Sequence, residues 1–250
     1  MKSSEVVLGE RCFTLDDQVR FSQFSGDRNP IHIDQLEARK THAGECVVHG
    51  IHVFLWALQL LISRTSKIPN YLKIKFHGQI ELDKRIRCLW SEKSKCLNII
   101  GSHDEVMISI MCEGMVDSDL SSEGLPLRTQ KKLRYPNDTK SKYSVGSVCF
   151  ESIYGGEVSL AEELFPQLSK RVGLYLVYEI AVLSNIVGMQ IPGSRSIFIS
   201  CVIKFRRENI APFYKIMGFD GRFGKVDLEY SGRNLDAVMG TFIRPKGAPV

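Results

Sequence analysis

No histidine follows position 103, although the chain runs to residue 250. Any imidazole chemistry must therefore come from the amino-terminal part. A paired cysteine pattern is missing as well. The seven cysteines, at 12, 46, 88, 96, 112, 149 and 201, include no CxxC and no histidine spacing of the zinc-site kind, so they read as reduced core or surface thiols and no metal is expected. The longest nearly apolar run, Val53 to Ile62, spans ten positions and is interrupted by Gln59, well short of the ~20 residues that cross a bilayer. It reads as a buried helix, and no membrane partner is expected. The first residues carry Glu5, Glu10, Arg11, Asp16 and Asp17 without an apolar h-region, so no secretory signal is expected and a cytoplasmic location follows. There is no RNA- or DNA-reading motif, and a net charge of 33 minus 28, or +5, is too mild to imply nucleic acid. It suits an anionic small ligand or an acidic carrier protein.

What is present is an ordinary globular composition, 44% apolar and 24% charged. At 250 residues the chain exceeds a usual single domain of roughly 100 to 150, which points to two domains or one duplicated domain. Thr14 followed by LDDQVRFSQF has an N-cap residue and two acids in the first turn, so a short helix is expected, delivering the chain to Gly26. HIDQLEARKT suggests a second helical turn. From Ile51 to Ser66 no Gly or Pro intervenes and IHVFLWALQLLISRTS is apolar on nearly every face, as in a helix surrounded on all sides. YLKIKF, RIRCLW, KCLNII and EVMISIMCEGMV then alternate at period two and read as antiparallel strands with one wet face. Lys73, Lys75, Lys84, Arg85 and Arg87 belong to that wet face.

Between about Asp117 and Tyr143 the composition turns to Ser, Asp, Gly and basic residues, the signature of a solvated linker. The second half then repeats the first. YLVYEIAVLSNIVGMQ is another apolar helix, introduced by Gly173, and SIFISCVIKF, FYKIMGF, KVDLEY and AVMGTFIR follow as strands. Gly50 to Gly173 is 123 positions, and Pro69 to Pro192 is also 123; Phe76 to Phe205 is 129, a few residues more. Helix, sheet, linker, helix, sheet is an α+β arrangement, with each helix most simply buried by its own antiparallel sheet in a pseudo-twofold pair.

One stretch carries chemistry. In SGDRNPIHID, Ser25 to Asp34, Pro30 fixes its own φ and biases Asn29 away from the α region, so Asp27 and His32 are held on a stiff, non-helical turn that Gly26 lets the chain enter. A carboxylate and an imidazole projected from such a turn can share one water, with Asn29 offering a further hydrogen bond. That is a general acid and base pair. His49 and Gly50 stand where the apolar helix begins, where unpaired N–H groups and the helix dipole favour a developing negative charge and the missing side chain of Gly50 allows close approach. His49 and His52 read more simply as packing residues.

SGDRNPIHID followed by VVHG and an apolar helix resembles the MaoC-like family of (R)-specific enoyl-CoA hydratases and hydroxyacyl thioester dehydratases. The family pattern, GDxNPxHxD and then HG, is matched at Gly26, Asp27, Asn29, Pro30, His32, Asp34, His49 and Gly50. The resemblance covers roughly residues 10 to 116, with a weaker likeness, chiefly GMQIPGSRSIFIS, over about 147 to 245. Of the family's later FxxPVxxGD strand only Phe76, Ile80 and Asp83 have counterparts.

The resemblance implies two tandem hot-dog units, each a long apolar helix wrapped by an antiparallel sheet: 1–120 with the motif, a basic linker 121–143, and 144–250 without it. It implies Asp27 and His32 as the catalytic pair, Asn29 and Gly50 positioning water and thioester oxygen, and Ser25, Gly26, Pro30 and His49 in support. No cofactor is implied. The substrate would be an acyl-CoA or an acyl carrier protein thioester, and a homodimer is compatible with the fold. The 123 offset sends Asp27, Asn29 and His32 to Phe150, Ser152 and Gly155, and His49-Gly50 to Val172-Gly173, so the second unit is expected to be catalytically dead and to cover the first. A non-catalytic acyl-binding partner and a thioesterase are the alternatives the same fold would allow.

Overall fold

The computed structural model describes residues 5–40, 44–117, 145–146, 148–149 and 155–244. The basic linker 121–143 and the counterpart positions Phe150 and Ser152 lie outside the described residues. The chain opens with β1 (Glu5–Cys12) and α1 (Leu15–Ser25), followed by two single turns, α2 (Pro30–Ile33) and α3 (Gln35–Ala38). Then come α4 (Gly50–Thr65), β2 (Ile68–Phe76), β3 (Arg85–Ser91), β4 (Cys96–Ile100) and β5 (Val106–Val116). The second half has β6 (Val148–Cys149), α5 (Leu160–Leu164), α6 (Pro166–Val172) and α7 (Leu174–Asn185), which runs on into a π-helical turn, Ile186–Gln190. Four strands complete it: β7 (Ser196–Phe205), β8 (Phe213–Asp220), β9 (Lys225–Ser231) and β10 (Leu235–Ile243).

α1 forms where its capping chemistry places it. The Thr14 hydroxyl accepts from the Asp17 N–H at 3.2 Å while Asp17 accepts from the Thr14 N–H at 2.8 Å, a reciprocal capping box. The helix ends at Gly26 with φ 76°, a left-handed conformation that glycine adopts without strain. In α4 every residue from Ile51 to Leu58 is buried, as its apolar surface on all faces predicts.

The strands form one ten-stranded antiparallel sheet in the order β1-β3-β4-β5-β2-β7-β10-β9-β8-β6. The sequence suggested a separate sheet for each helix. Instead β2 and β7 pair with each other, Tyr71 opposite Lys204 and Lys75 opposite Ser200, so two five-stranded layers become continuous. The pairing satisfies backbone groups that would otherwise be two open edges. α4 lies against α6 and α7, and α1 against α7, so the helices of both halves share one apolar core with the sheet. β1 was not evident from sequence because EVVLGERC, an edge strand bulged between Val7 and Gly9, exposes Val6 and Val7 and lacks clean alternation; its pairing with β3 decides it. The short helices α5 and α6 were likewise not anticipated. Among the described residues no single helix is long and apolar enough to cross a membrane.

A shared core and a continuous sheet predict one cooperative transition. Urea unfolding followed by the fluorescence of Trp56 and Trp90, both in the first half, should coincide with unfolding followed by far-ultraviolet circular dichroism. Leu58→Ala, deep in α4, should shift both curves together by about 2–5 kcal/mol. A separate second transition seen by dichroism alone would show that the halves fold independently.

Candidate active site

The loop from Ser25 to His32 is pinned from within. The Ser25 hydroxyl donates to the Phe21 carbonyl at 2.8 Å and accepts from the Asp27 N–H at 3.1 Å, which starts the turn. Asp27 Oδ1 accepts from the Asn29 N–H at 3.1 Å, and Asn29 Oδ1 caps the next turn by accepting from the Ile31 N–H at 3.4 Å. Pro30 then takes the first position of α2, where its missing N–H costs nothing. His32 therefore stands on one turn of helix, and not on the non-helical turn expected from sequence: proline disfavours the α region only for the residue before it, and its own φ suits a helix start. Asp34 has no part in the site; its carboxylate caps α3, accepting from Leu36 and Glu37.

Asp27 and Asn29 are buried and His32 is partly buried, and all three line one cleft. The first half supplies its floor with Val47, Gly50 and Phe76; the second supplies Ser184, Gly188 and Phe198. Ser184 was invisible to sequence reasoning. Its hydroxyl donates to Asp27 Oδ2 at 2.7 Å across the two halves. Beside it, Asn185 Nδ2 donates to the Gly26 carbonyl at 2.7 Å, and a Cβ at Gly188 would overlap the Asp27 carboxylate. Only a glycine there lets the π-helical turn approach so closely.

His32 Nδ1 lies 2.8 Å from the Val47 carbonyl, which can only accept, so the neutral ring carries its proton on Nδ1 and keeps a lone pair on Nε2. Val47 and Val48 are themselves located by backbone bonds to Ile31 and Ile80. His49 is fixed by Gln18, another residue that sequence did not single out: Gln18 Oε1 accepts from the His49 backbone N–H at 3.0 Å and lies 2.9 Å from its Nδ1. The His49 ring stacks on His32 with centroids 3.7 Å apart. His52 stacks on Phe21 at 4.5 Å, away from the cleft, and is a core residue.

Gly50 begins α4, and among the described residues its N–H has no hydrogen-bond partner. A Cβ there would stand 2.7 Å from the Phe76 ring, so glycine is required for the aromatic to close on the helix end. Gly50 thus lines the cleft at the amino-terminal, electropositive end of a sixteen-residue helix.

Burial dominates the titration of the cluster. It raises the Asp27 carboxyl to about 6, against the opposing hydrogen bonds from Ser184 and Asn29. It lowers His32 to about 4, opposed by the bond to Val47 and aided by the nearby positive charge of Arg244. His49 is pushed well below its ordinary value by burial and by its neighbours His32 and His52. One ligand atom from each of Asp27, His32 and His49 falls within 4.8 Å of the others. The two rings are only 27° from parallel, so their in-plane lone pairs run nearly side by side and do not converge at the ~2.0–2.1 Å a bound transition metal needs. A span of this size is one that a single water bridges with two hydrogen bonds of about 2.8 Å.

Residues 5–89 match the family model of the MaoC like domain. No curated protein matches the chain. Among solved structures, the fold is similar to a MaoC-like dehydratase at a TM-score of 0.58 and 9% identity, over 97% of this chain and 98% of that one. A MaoC domain protein from Chloroflexus aurantiacus J-10-fl aligns at 0.61 and 12% identity, over 97% and 95%. A conserved hypothetical protein from Mycobacterium tuberculosis with a double hot-dog fold aligns at 0.59 and 12% identity, over 97% and 96%. The architecture of this chain is the double hot-dog.

The three buried imidazoles make stability depend on acid. His32, His49 and His52 are held neutral below the ordinary 6.5, His52 at about 3, so the unfolded chain binds up to three protons that the folded chain does not. Asp27 and Glu179, raised by burial to about 6 and about 7, act in the opposite sense but are fewer. Stability should therefore fall as pH drops from 7 to 5, read as the urea midpoint. His52→Phe, which preserves the stack on Phe21 and removes a buried Nδ1 with no partner, should make that fall shallower. An unchanged pH dependence in this variant would mean that His52 is already charged in the folded protein.

Proposed function

With residues 5–89 a MaoC-like domain inside a double hot-dog chain, we propose that this protein is a hydratase/dehydratase interconverting trans-2-enoyl and (3R)-3-hydroxyacyl thioesters of CoA or acyl carrier protein. The observation that carries the reading is the meeting of Asp27, His32 and the unpaired Gly50 N–H in one cleft. On this reading the chain divides into a catalytic unit, 1–120, and a unit without acid-base groups, 144–250, joined by the linker 121–143.

In hydration, one water donates its two protons to the Asp27 carboxylate and to His32 Nε2, which leaves an oxygen lone pair directed at C3 of the substrate. As oxygen bonds to C3, the C2–C3 π electrons move toward the thioester, and the negative charge growing on its oxygen is met by the Gly50 N–H. The water proton facing Asp27 passes to the carboxylate and is then delivered to C2, so H and OH are both accounted for and Asp27 returns to its ionised form. Dehydration is the reverse. Asp27, lifted toward neutrality by burial, is a far better base than a solvated aspartate, and His32, kept uncharged, orients the water without competing for its proton. Asn29 closes the wall beside the water.

Purified protein mixed with crotonyl-CoA or longer enoyl-CoAs should consume the conjugated absorbance. Asp27→Asn and His32→Ala should each lower kcat/KM by about 10²–10⁴. Turnover indifferent to both would refute the assignment; thiol release without hydration would mark a thioesterase, and binding without turnover a non-catalytic partner.

Because the ionised Asp27 is the active form, log kcat/KM should fall below about pH 6. The Ser184 hydroxyl favours that ionised form, so Ser184→Ala should move the acid limb to higher pH as well as lower the rate. A lower rate with an unmoved limb would leave Ser184 a structural residue only.

A further inference from the structure

We propose that Gln18, which does not itself line the cleft, fixes the tautomer of His49 and through that ring keeps the Asp27 carboxylate basic. Gln18 is then a positioning residue, acting on the catalytic acid from one residue away. The inference rests on the hydratase reading for its consequence in turnover, and on hydrogen-bond geometry for the rest.

The Gln18 side chain is buried on α1 and meets the start of α4. The His49 backbone N–H can only donate, so the Gln18 atom 3.0 Å from it is the amide oxygen. The same oxygen lies 2.9 Å from His49 Nδ1 and can only accept, so Nδ1 carries the proton. Turning the amide over would set its NH2 group against the backbone N–H. The orientation kept leaves Gln18 Nε2 buried with no partner among the described residues, so the amide is aimed by His49 alone.

A second acceptor stands on the other side of the ring. His49 Nε2 lies 3.3 Å from the Asp27 carbonyl oxygen and 3.9 Å from Asp27 Oδ2. A neutral imidazole has one N–H for these two acceptors, and the nearer, Gln18, takes it. Nε2 therefore turns a lone pair toward Asp27, which disfavours negative charge on the carboxylate. The opposite tautomer would place an N–H there and stabilise the ionised acid, making it a weaker base.

The other groups around the pair act differently. His32 stacks on His49 and donates from Nδ1 to the Val47 carbonyl, and Arg244 acts on His32. His52, one turn along α4, acts on His49. Ser184, from α7, donates to Asp27 Oδ2 and favours the ionised form. Gln18, through His49, opposes Ser184.

The test starts with the unaltered protein, isotope-labelled at the histidine nitrogens, with His49 identified by the signal lost in His49→Asn. Long-range proton–nitrogen correlation near neutral pH should show His49 protonated on Nδ1 and bare on Nε2. Protonation on Nε2 overturns the proposal, and this measurement decides even if the next variant does not fold. In Gln18→Met, which removes the acceptor at similar length, the proton should move to Nε2, where the Asp27 carbonyl receives it. The Asp27 carboxyl, followed by its carbon resonance, should then titrate about 0.5 lower in pH, less than the ~1–3 that a full charge produces. The acid limb of kcat/KM for crotonyl-CoA should move the same way, opposite to Ser184→Ala. An unmoved tautomer, or an Asp27 titration unmoved or raised, in folded Gln18→Met overturns the proposal. Both resonances are read without turnover, so a protein inactive on enoyl-CoAs would refute the hydratase reading and leave this inference to be judged by them.

Discussion

The hydrogen bond from the Ser184 hydroxyl to the Asp27 carboxylate joins two parts of the chain that sequence alone gives no reason to connect, 157 positions apart. Much of the site depends on it and on the docking that surrounds it. Asn185 grips the Gly26 carbonyl, the Glu157 N–H donates to Gln23, and Gly156 packs against Phe24 so closely that no side chain could be placed there. The loop that carries Asp27 is thus clamped from outside as well as pinned from within. A half-chain with no histidine of its own completes the wall around the histidines of the other.

That docking also sets the electrostatics. A carboxylate on an exposed turn would titrate near its ordinary value, and an imidazole likewise; both are displaced here because α7 and its π-helical turn exclude water from the loop. The displacement is limited by partners placed to limit it, Ser184 and the Asn29 N–H for the carboxylate and the Val47 carbonyl for the imidazole. Burial and hydrogen bonding therefore act against each other at each group. The resulting poise, an acid near neutrality beside an uncharged ring, is what the proposed water chemistry requires.

The seam between β2 and β7 organises the rest. By joining two sheets it brings the ends of α4 and α7 to opposite ends of one strand pair, creating two related cavities. One kept acid-base groups and a bare helix amide. The other has an arginine and asparagine lining in their place. The two halves related by the 123-residue offset thus carry cavities with different linings.

Eight of the ten strands and both long helices were legible in the sequence, because alternation at period two and an apolar surface on every face are local records of burial. The joint spacing of Gly26, Asp27, Asn29, Pro30, His32, His49 and Gly50 marked the candidate site, since a turn, a cap and a helix start are short-range features. β1 escaped notice because an edge strand need not alternate, and Ser184 and Gln18 escaped because a serine in an apolar helix and a glutamine in an amphipathic one have no local signature of the partner they will meet. The sequence by itself determined the elements and the chemical groups. Only the tertiary structure decided that the two sheets would be one, that Ser184 would reach Asp27, and how far water would be excluded from the pair, because each of these rests on contacts between residues far apart in the chain whose strength depends on the burial that the finished fold creates.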